Sequence, residues 1–290
     1  MPELVEVEYS RKLLLKYILN KRIVNVSSLE QGGGPRDGLF DDLILKSFGS
    51  SVDVGNVFLA SSVEQVGRKG KQLWLELRNK NDSIGFALFH QGMTGNFRLR
   101  GVESMQYKSF KVDNDVWPPK FTKLALEFDD GTKLAFVDPR RLGRVRYVSS
   151  IHEDEGVQKL APDALNELPP IKEFVEKLKT FNLPLKTLLL DQHKLVSGIG
   201  NWIADEVCYQ SRLHPEIKTN TLEKEEADRV HEAVKYILKT GCENEEFPSD
   251  WLFHRRWTKR KQTFKEIDFI TVNGRTTAYA PAIQKKKNRK

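Results

Sequence analysis

Cysteine is almost missing from this 290-residue chain, which has only Cys208 and Cys242. Two thiols exclude both a disulfide framework and a four-cysteine zinc site. The six histidines, His90, His152, His193, His214, His231 and His254, show no metal-ligand spacing, so neither a structural metal nor a cofactor is expected. Carboxylates do not cluster as a pair of catalytic ions would need, which argues against a metal-dependent nuclease. Long apolar runs are also lacking. Nothing approaches the roughly 20 residues that span a bilayer, and no secretory signal opens the chain. The expectation is a soluble intracellular protein with no membrane partner.

Positive charge is what the chain has. Lys and Arg number 47 against 40 Asp and Glu, a net +7, which points to a polyanionic partner. Hydrophobic residues make up 39%, low for one large core and adequate for two smaller ones.

The first six residues, Met1-Pro2-Glu3-Leu4-Val5-Glu6, organise the rest. Loss of the initiator Met would leave Pro2 as a secondary amine at the tip of a helix, with Glu3 beside it and Glu6 one turn on. Such an amine condenses with an aldehyde to give a cationic iminium. Its ordinary pKa of about 8 leaves a useful neutral fraction at physiological pH. Taken alone, the same residues are also an ordinary helix start, where Pro and acidic side chains are common.

Periodicity predicts a helix over 3–19, with Leu4, Val7, Leu14 and Ile18 broadly on one face. Strand character begins at Val24 and Val26. Two alternating runs flank Lys69-Gly70 as a hairpin, and strands are predicted at 86–90, 124–128, 133–137 and 145–148. Short strands with regular turns suggest a β-sandwich. Helices are predicted at 171–180, 184–193, 201–212 and 222–240, before strand returns at 268–280 around the tight turn Asn273-Gly274. The expected fold class is α+β. A leading helix and sandwich occupy 1–150, a linker 151–170, and a helical domain 171–290 that ends in a β-hairpin (267–284) and a basic tail (285–290).

Four further stretches carry chemistry. In Ser197-Gly198-Ile199-Gly200-Asn201, Asn201 falls at a helix N-cap, which would leave free N–H groups as a phosphate seat, or would be a Gly-rich connection with a routine cap. Arg275 follows the Asn273-Gly274 turn, held out where it could fork onto a phosphate. Asp138-Pro139-Arg140-Arg141-Leu142-Gly143 pairs cations with an apolar tip, as wedges entering an unstacked duplex do. His90-Gln91-Gly92-Met93-Thr94-Gly95 holds Met93 between glycine hinges.

The order Pro-Glu-Leu-x-Glu, Lys-Gly-Lys-x-Leu, His-x-Gly-Met-x-Gly, Asp-Pro-Arg-Arg, Gly-x-Gly-Asn and Gly-Arg-Thr-Thr resembles the formamidopyrimidine-DNA glycosylase/endonuclease VIII family, from Pro2 to about Tyr279. The resemblance implies a helix-two-turn-helix in the second domain. It also implies a bifunctional base-excision-repair enzyme, working as a monomer on damaged double-stranded DNA. Pro2 would attack C1′ of the lesion nucleotide and form an imine, and β,δ-elimination would follow. Glu3 would be the general acid. Lys71, His90, Asn201 and Arg275 match phosphate-holding positions, with Lys71 also counted among the catalytic set. Lys186 matches a lysine near the lesion pocket, and Glu6 and Glu206 match acidic buttresses. Met93, Arg140 and Leu142 match the residues that fill the gap left by an extruded base.

Three departures refine this. Bacterial members usually end in a four-cysteine zinc finger; here 279–284 has no cysteine, so a zincless finger of the plant and fungal branch is implied. With the basic tail this suggests a nuclear protein. Leu142 stands where bacterial enzymes have Phe, so stacking on the orphaned base should be weaker. The segment between Trp257 and Gly274 is short where bacterial enzymes carry a loop over 8-oxoguanine. Formamidopyrimidines and hydantoins should therefore be better substrates than 8-oxoguanine. The alternative is a non-catalytic damaged-DNA-binding protein, which would share the charge and Arg275 but have no use for a free Pro2 beside Glu3.

Overall fold

The structure, a computed structural model, describes residues 2–102, 116–244, 246–257 and 266–286. The chain divides into two compact units. One comprises Pro2 and Glu6–Gln158, the other Glu3–Val5 and everything from Lys159 onward. Of the stretch expected as a linker, 151–158 belong to the first unit and 159–170 to the second.

The leading helix α1 (Leu4–Ile18) divides its apolar residues accordingly. Leu4 and Val5 pack in the core of the second unit, while Val7, Leu14 and Ile18 pack in that of the first. The first unit is a sandwich of two antiparallel four-stranded sheets. One runs β1 (Ile23–Ser27), β6 (Thr122–Phe128), β7 (Lys133–Val137), β5 (Asn96–Leu99). The other runs β2 (Ser62–Lys69), β3 (Gln72–Arg78), β4 (Ile84–His90), β8 (Arg144–Val148). Alternation along β3 sends Leu73, Leu75 and Leu77 inward. Between the sheets Phe89, Phe97 and Phe136 meet with ring centroids 5.1–5.6 Å apart.

Helix α2 (Ser51–Phe58) falls in the stretch expected to have strand character. Its valines favour strand locally. The Ser50 hydroxyl accepts from the Asp53 N–H, however, and Val54 and Phe58, one turn apart, share the buried face, so packing overrides propensity. Strand β5 and the one-turn α3 (Glu155–Gln158) were also not expected.

In the second unit α4 (Ile171–Lys179), α5 (Leu185–Leu190), α6 (Asn201–Gln210) and α7 (Lys224–Glu243) surround one apolar core. Helix α4 follows Pro170, carries Glu173 in its first turn and Lys177 and Lys179 in its last, in agreement with the helix dipole. Helix α7 opens on a reciprocal cap between Glu223 and Glu226. Strands β9 (Asp268–Val272) and β10 (Arg275–Tyr279) form the hairpin, with Asn273 and Gly274 both at positive φ in its two-residue turn. Of the expected basic tail, 287–290 lie outside the described residues.

Because the Phe89 ring touches aromatics of the opposing sheet and precedes His90, Phe89→Ala should destabilise the first unit by about 3–5 kcal/mol. Urea unfolding of the purified variant measures this, and a loss below about 1 kcal/mol would contradict the packing described.

Candidate active site

Helix α6 has Gly200 at its N-cap, not Asn201, and Gly200 has no side chain with which to cap. The cap comes from far away in sequence. The buried Glu3 carboxylate accepts from Trp202 N–H at 2.9 Å through Oε1 and from Ile203 N–H at 3.0 Å through Oε2. Leu4 N–H donates to the Gly198 carbonyl at 3.2 Å. A Cβ at Gly200 would collide with the Glu3 side chain and one at Gly198 with Leu4, and Gly198 also holds a φ of +104°. The expected phosphate seat is thus corrected. These first-turn N–H groups face a carboxylate of the chain itself, and Gly-x-Gly-Asn is shaped to receive Glu3 and Leu4. Asn201, at the first helical position, donates from Nδ2 to the Thr276 carbonyl at 3.0 Å. Its Oδ1 is buried without a hydrogen-bond partner.

A second centre of the same unit is Asp205. Lys186 Nζ lies 2.6 Å from Asp205 Oδ1 and 2.7 Å from Thr277 Oγ1, and Arg256 Nη2 and Ala278 N–H donate to Asp205 Oδ2 at 2.8 and 3.2 Å. Lys186 is fully buried, and that burial lowers its pKa against the pull of Asp205. It therefore anchors the β9–β10 hairpin from below and does not line an open pocket. Gln284 completes the anchorage, accepting from Ala280 N–H at 2.7 Å and donating to the Leu213 carbonyl at 2.9 Å. Arg275 stands exposed at the first position of β10.

Glu206 faces a different segment. Its carboxylate accepts from Phe253 N–H at 2.8 Å, Leu252 N–H at 3.3 Å and Gln210 Nε2 at 2.8 Å, capping the short 3₁₀ turn Leu252–His254.

In the first unit a second set of groups is organised around α1. Arg68 donates to Glu8 at 2.9 Å and to the Gly70 carbonyl at 2.9 Å, bracing the turn that carries Lys71. Bonds from Arg11 and Arg68 lower the Glu8 pKa although burial opposes them. Gln91 Nε2 donates to Ser10 Oγ at 2.8 Å, and Ser10 donates to the Glu6 carbonyl at 3.0 Å, so α1 also fixes the residue after His90. The half-buried Glu6 itself sits in the first turn of α1. His90 Nδ1 accepts from Gly92 N–H at 3.2 Å, which assigns the ring proton to Nε2. Burial first, then the charges of Lys71, Arg144 and Arg146, lower its pKa, so it is a neutral donor at pH 7 among cations. Arg144, paired with His90 in the sheet register, belongs to this anion-attracting group and was not singled out from sequence.

The two loops expected to act as wedges are tied together in the same unit. Asp138 accepts from the Thr94 hydroxyl at 2.7 Å and from Arg140 and Gly143 N–H at 3.3 and 2.6 Å. Gly92, at φ +60°, has no room for a Cβ against the Leu142 backbone. Met93, Arg140 and Leu142 are left exposed, the two apolar tips at 36% and 41%. A separate cavity of about 520 Å³, lined by Leu165, Pro169, Ile171, His231 and Leu238, contains none of these residues.

Residues 1–145 match the family model described as formamidopyrimidine-DNA glycosylase N-terminal domain, and residues 160–249 match the one described as formamidopyrimidine-DNA glycosylase H2TH domain. A formamidopyrimidine-DNA glycosylase of Arabidopsis thaliana is 39% identical, the alignment covering 98% of this chain and 71% of that one. Another, of Listeria innocua, is 31% identical over 82% of this chain and 77% of its own. The fold matches that of Lactococcus lactis formamidopyrimidine-DNA glycosylase, solved in complex with DNA containing N7-benzyl-Fapy-dG. That match has a TM-score of 0.73 at 24% identity, covering 98% of this chain and 100% of that one.

Burial pushes the Glu206 carboxyl up to about 7, against the bonds from Gln210, Phe253 and Leu252. The folded chain therefore keeps this proton where the unfolded chain releases it. The stability it confers is complete below the ordinary value of 4.5 and is lost as pH rises through about 7. The loss amounts to about 3 kcal/mol. Melting curves of Glu206→Gln and the parent, taken between these limits, should diverge in the variant's favour as pH increases. A difference that does not change with pH would contradict this.

Proposed function

From the premise that this chain belongs to the formamidopyrimidine-DNA glycosylase family, we propose that it removes oxidised bases from damaged double-stranded DNA and then cleaves the strand. With Met1 removed, the Pro2 nitrogen attacks C1′ of the lesion nucleotide, the base departs, and the ring-opened sugar is held as an iminium. Glu3 is the general acid for this step, taking up the proton that the attacking Pro2 amine gives up and delivering it to the deoxyribose ring oxygen. The iminium then acidifies the adjacent C–H, so that the 3′ and afterwards the 5′ phosphate leave. The observation that carries this reading is the seat of Glu3. A carboxylate bonded to two backbone N–H groups, with glycines cleared around it, holds the residue next to Pro2 in one fixed place.

Lys71, His90 and Arg144 attract the phosphates flanking the lesion in the first unit, as Arg275 does in the second, while Asn201 holds the hairpin through the Thr276 carbonyl. The β9–β10 hairpin works as a zincless finger, with the Asp205 hub and Gln284 supplying the cross-links. Met93, Arg140 and Leu142 enter the duplex where the base has left. Formamidopyrimidines and hydantoins are the preferred lesions and 8-oxoguanine a weaker one. The segment behind that preference includes residues 258–265, which lie outside the described residues. A monomer acting in the nucleus fits the basic tail.

Duplexes carrying each lesion test the proposal. The protein should leave a one-nucleotide gap bounded by phosphates on both sides, and should do so faster on formamidopyrimidine than on 8-oxoguanine. An intact strand would favour a binding protein without catalysis. Glu3→Gln should lower excision at least about 100-fold with DNA affinity little changed. Because Glu3 also caps α6, this variant should lose about 1 kcal/mol of stability.

Arg275→Ala should weaken binding on every sequence and reduce the slope of log affinity against log salt by about 0.9, the signature of one lost phosphate contact. An unchanged slope would remove Arg275 from the interface.

A further inference from the structure

The wedge loop 138–143 alternates out, in, out. Arg140 and Leu142 are exposed, while Arg141 between them turns inward and adopts φ +55°, a conformation unfavourable for a long side chain. Its guanidinium forks onto Asp41, with Nε and Nη2 at 2.7 and 2.9 Å from the two carboxylate oxygens. Asp41 is buried and is bonded at 3.0 Å to the equally buried Lys123, which also pairs with buried Glu30. The segment after Asp41 is anchored to the strand that follows the wedge, through Val145 N–H to the Ile44 carbonyl and Lys46 N–H to the Val145 carbonyl. Two carboxylates thus meet three cations, with Lys123 buried and Arg141 and Arg36, the latter 3.9 Å from Asp41, both half-exposed. Burial would raise the Asp41 carboxyl, but the bonds from Arg141 and Lys123 hold it at about 2.

We propose that the Asp41–Arg141 fork is the positioning device of the wedge, holding the loop in its left-handed turn so that Arg140 and Leu142 face the duplex before DNA arrives. The inference rests on the wedge reading above. Arg141 acts through its neighbours: a bidentate bond to a buried carboxylate fixes backbone orientation as well as distance. Leu is smaller than an aromatic ring and cannot hold its place by stacking alone, so its insertion depends on a loop already set.

The test uses the full-length protein on a lesion duplex with 2-aminopurine beside the damaged base. Its fluorescence reports unstacking, and single-turnover excision is followed in parallel. Arg141→Asn suits the positive φ and cannot reach Asp41, so it should fold. It should nonetheless lose the fluorescence rise and excise roughly 10- to 100-fold more slowly, like Leu142→Ala. The salt dependence of its binding should not change, because no phosphate contact is removed. Arg141→Lys keeps the charge and loses the fork, and should fall between Arg141→Asn and the parent. If Arg141→Asn does not fold, Arg141→Lys decides, and behaviour identical to the parent overturns the proposal. A full fluorescence rise in Arg141→Asn with none in Leu142→Ala would also overturn it and leave the wedge reading standing. A full rise in both would overturn the wedge reading and this inference with it. A salt slope lower by about one in Arg141→Asn would make Arg141 a phosphate ligand and likewise refute the positioning role.

Discussion

Two hydrogen bonds from the first turn of α6 to the Glu3 carboxylate are the constraint on which the second unit's chemistry depends. A helix start offers unpaired N–H groups and the positive end of a dipole, and an anion placed there is held in direction as well as distance. Most helices take that anion or oxygen from their own N-cap. Here the N-cap is glycine, and the group arrives from the other end of the sequence. The two glycines of the turn exist for the same reason, since any side chain at either would occupy the place of Glu3 or Leu4. A residue adjacent to the proposed nucleophile is thereby fixed by the backbone, which thermal motion of side chains disturbs least.

The same helix organises the hairpin one turn further along. Asp205 collects Lys186, Arg256 and a β10 backbone N–H at one buried point. A buried carboxylate would be costly alone, and here two cations and a backbone N–H offset that cost. The cluster joins segments distant in sequence, α5, α6 and β10, through one centre. The first unit repeats the device at Asp41, where another buried carboxylate ties the loop 138–143 to the sandwich. In both units a buried carboxylate shared between cations shapes the surface above it.

Much of this was legible in the sequence. The strand pattern, the Asn273-Gly274 hairpin and the run of helices follow from periodicity and turn chemistry, which are local. Arg144, Asp41 and Asp205 were passed over; Glu3, Asn201 and Arg275 were identified by type and spacing, and Lys71, Lys186 and Glu206 through the family resemblance. Their partners were not, because partnership is tertiary: nothing local to Asn201 reveals that Glu3 takes the N–H groups beside it, and nothing local to Lys186 reveals that it is buried against Asp205. Asp205 itself adjoins Glu206 in a stretch already singled out, but an acidic residue on a helix reads as solvated until the hairpin is placed over it. Helix α2 was missed for the opposite reason, as β-branched residues signalled strand and only the shared burial of Val54 and Phe58 makes it helical.

In the proposed chemistry Pro2, the residue next to Glu3, forms the covalent bond to sugar. Reduction with borohydride during turnover, followed by proteolysis and mass measurement of the DNA-linked peptide, addresses it most directly. The adduct should reside on the peptide beginning with Pro2, with Met1 absent and with the same yield in EDTA. An adduct carried by Lys71, Lys186 or another internal lysine, with the Pro2 peptide unmodified, would contradict it.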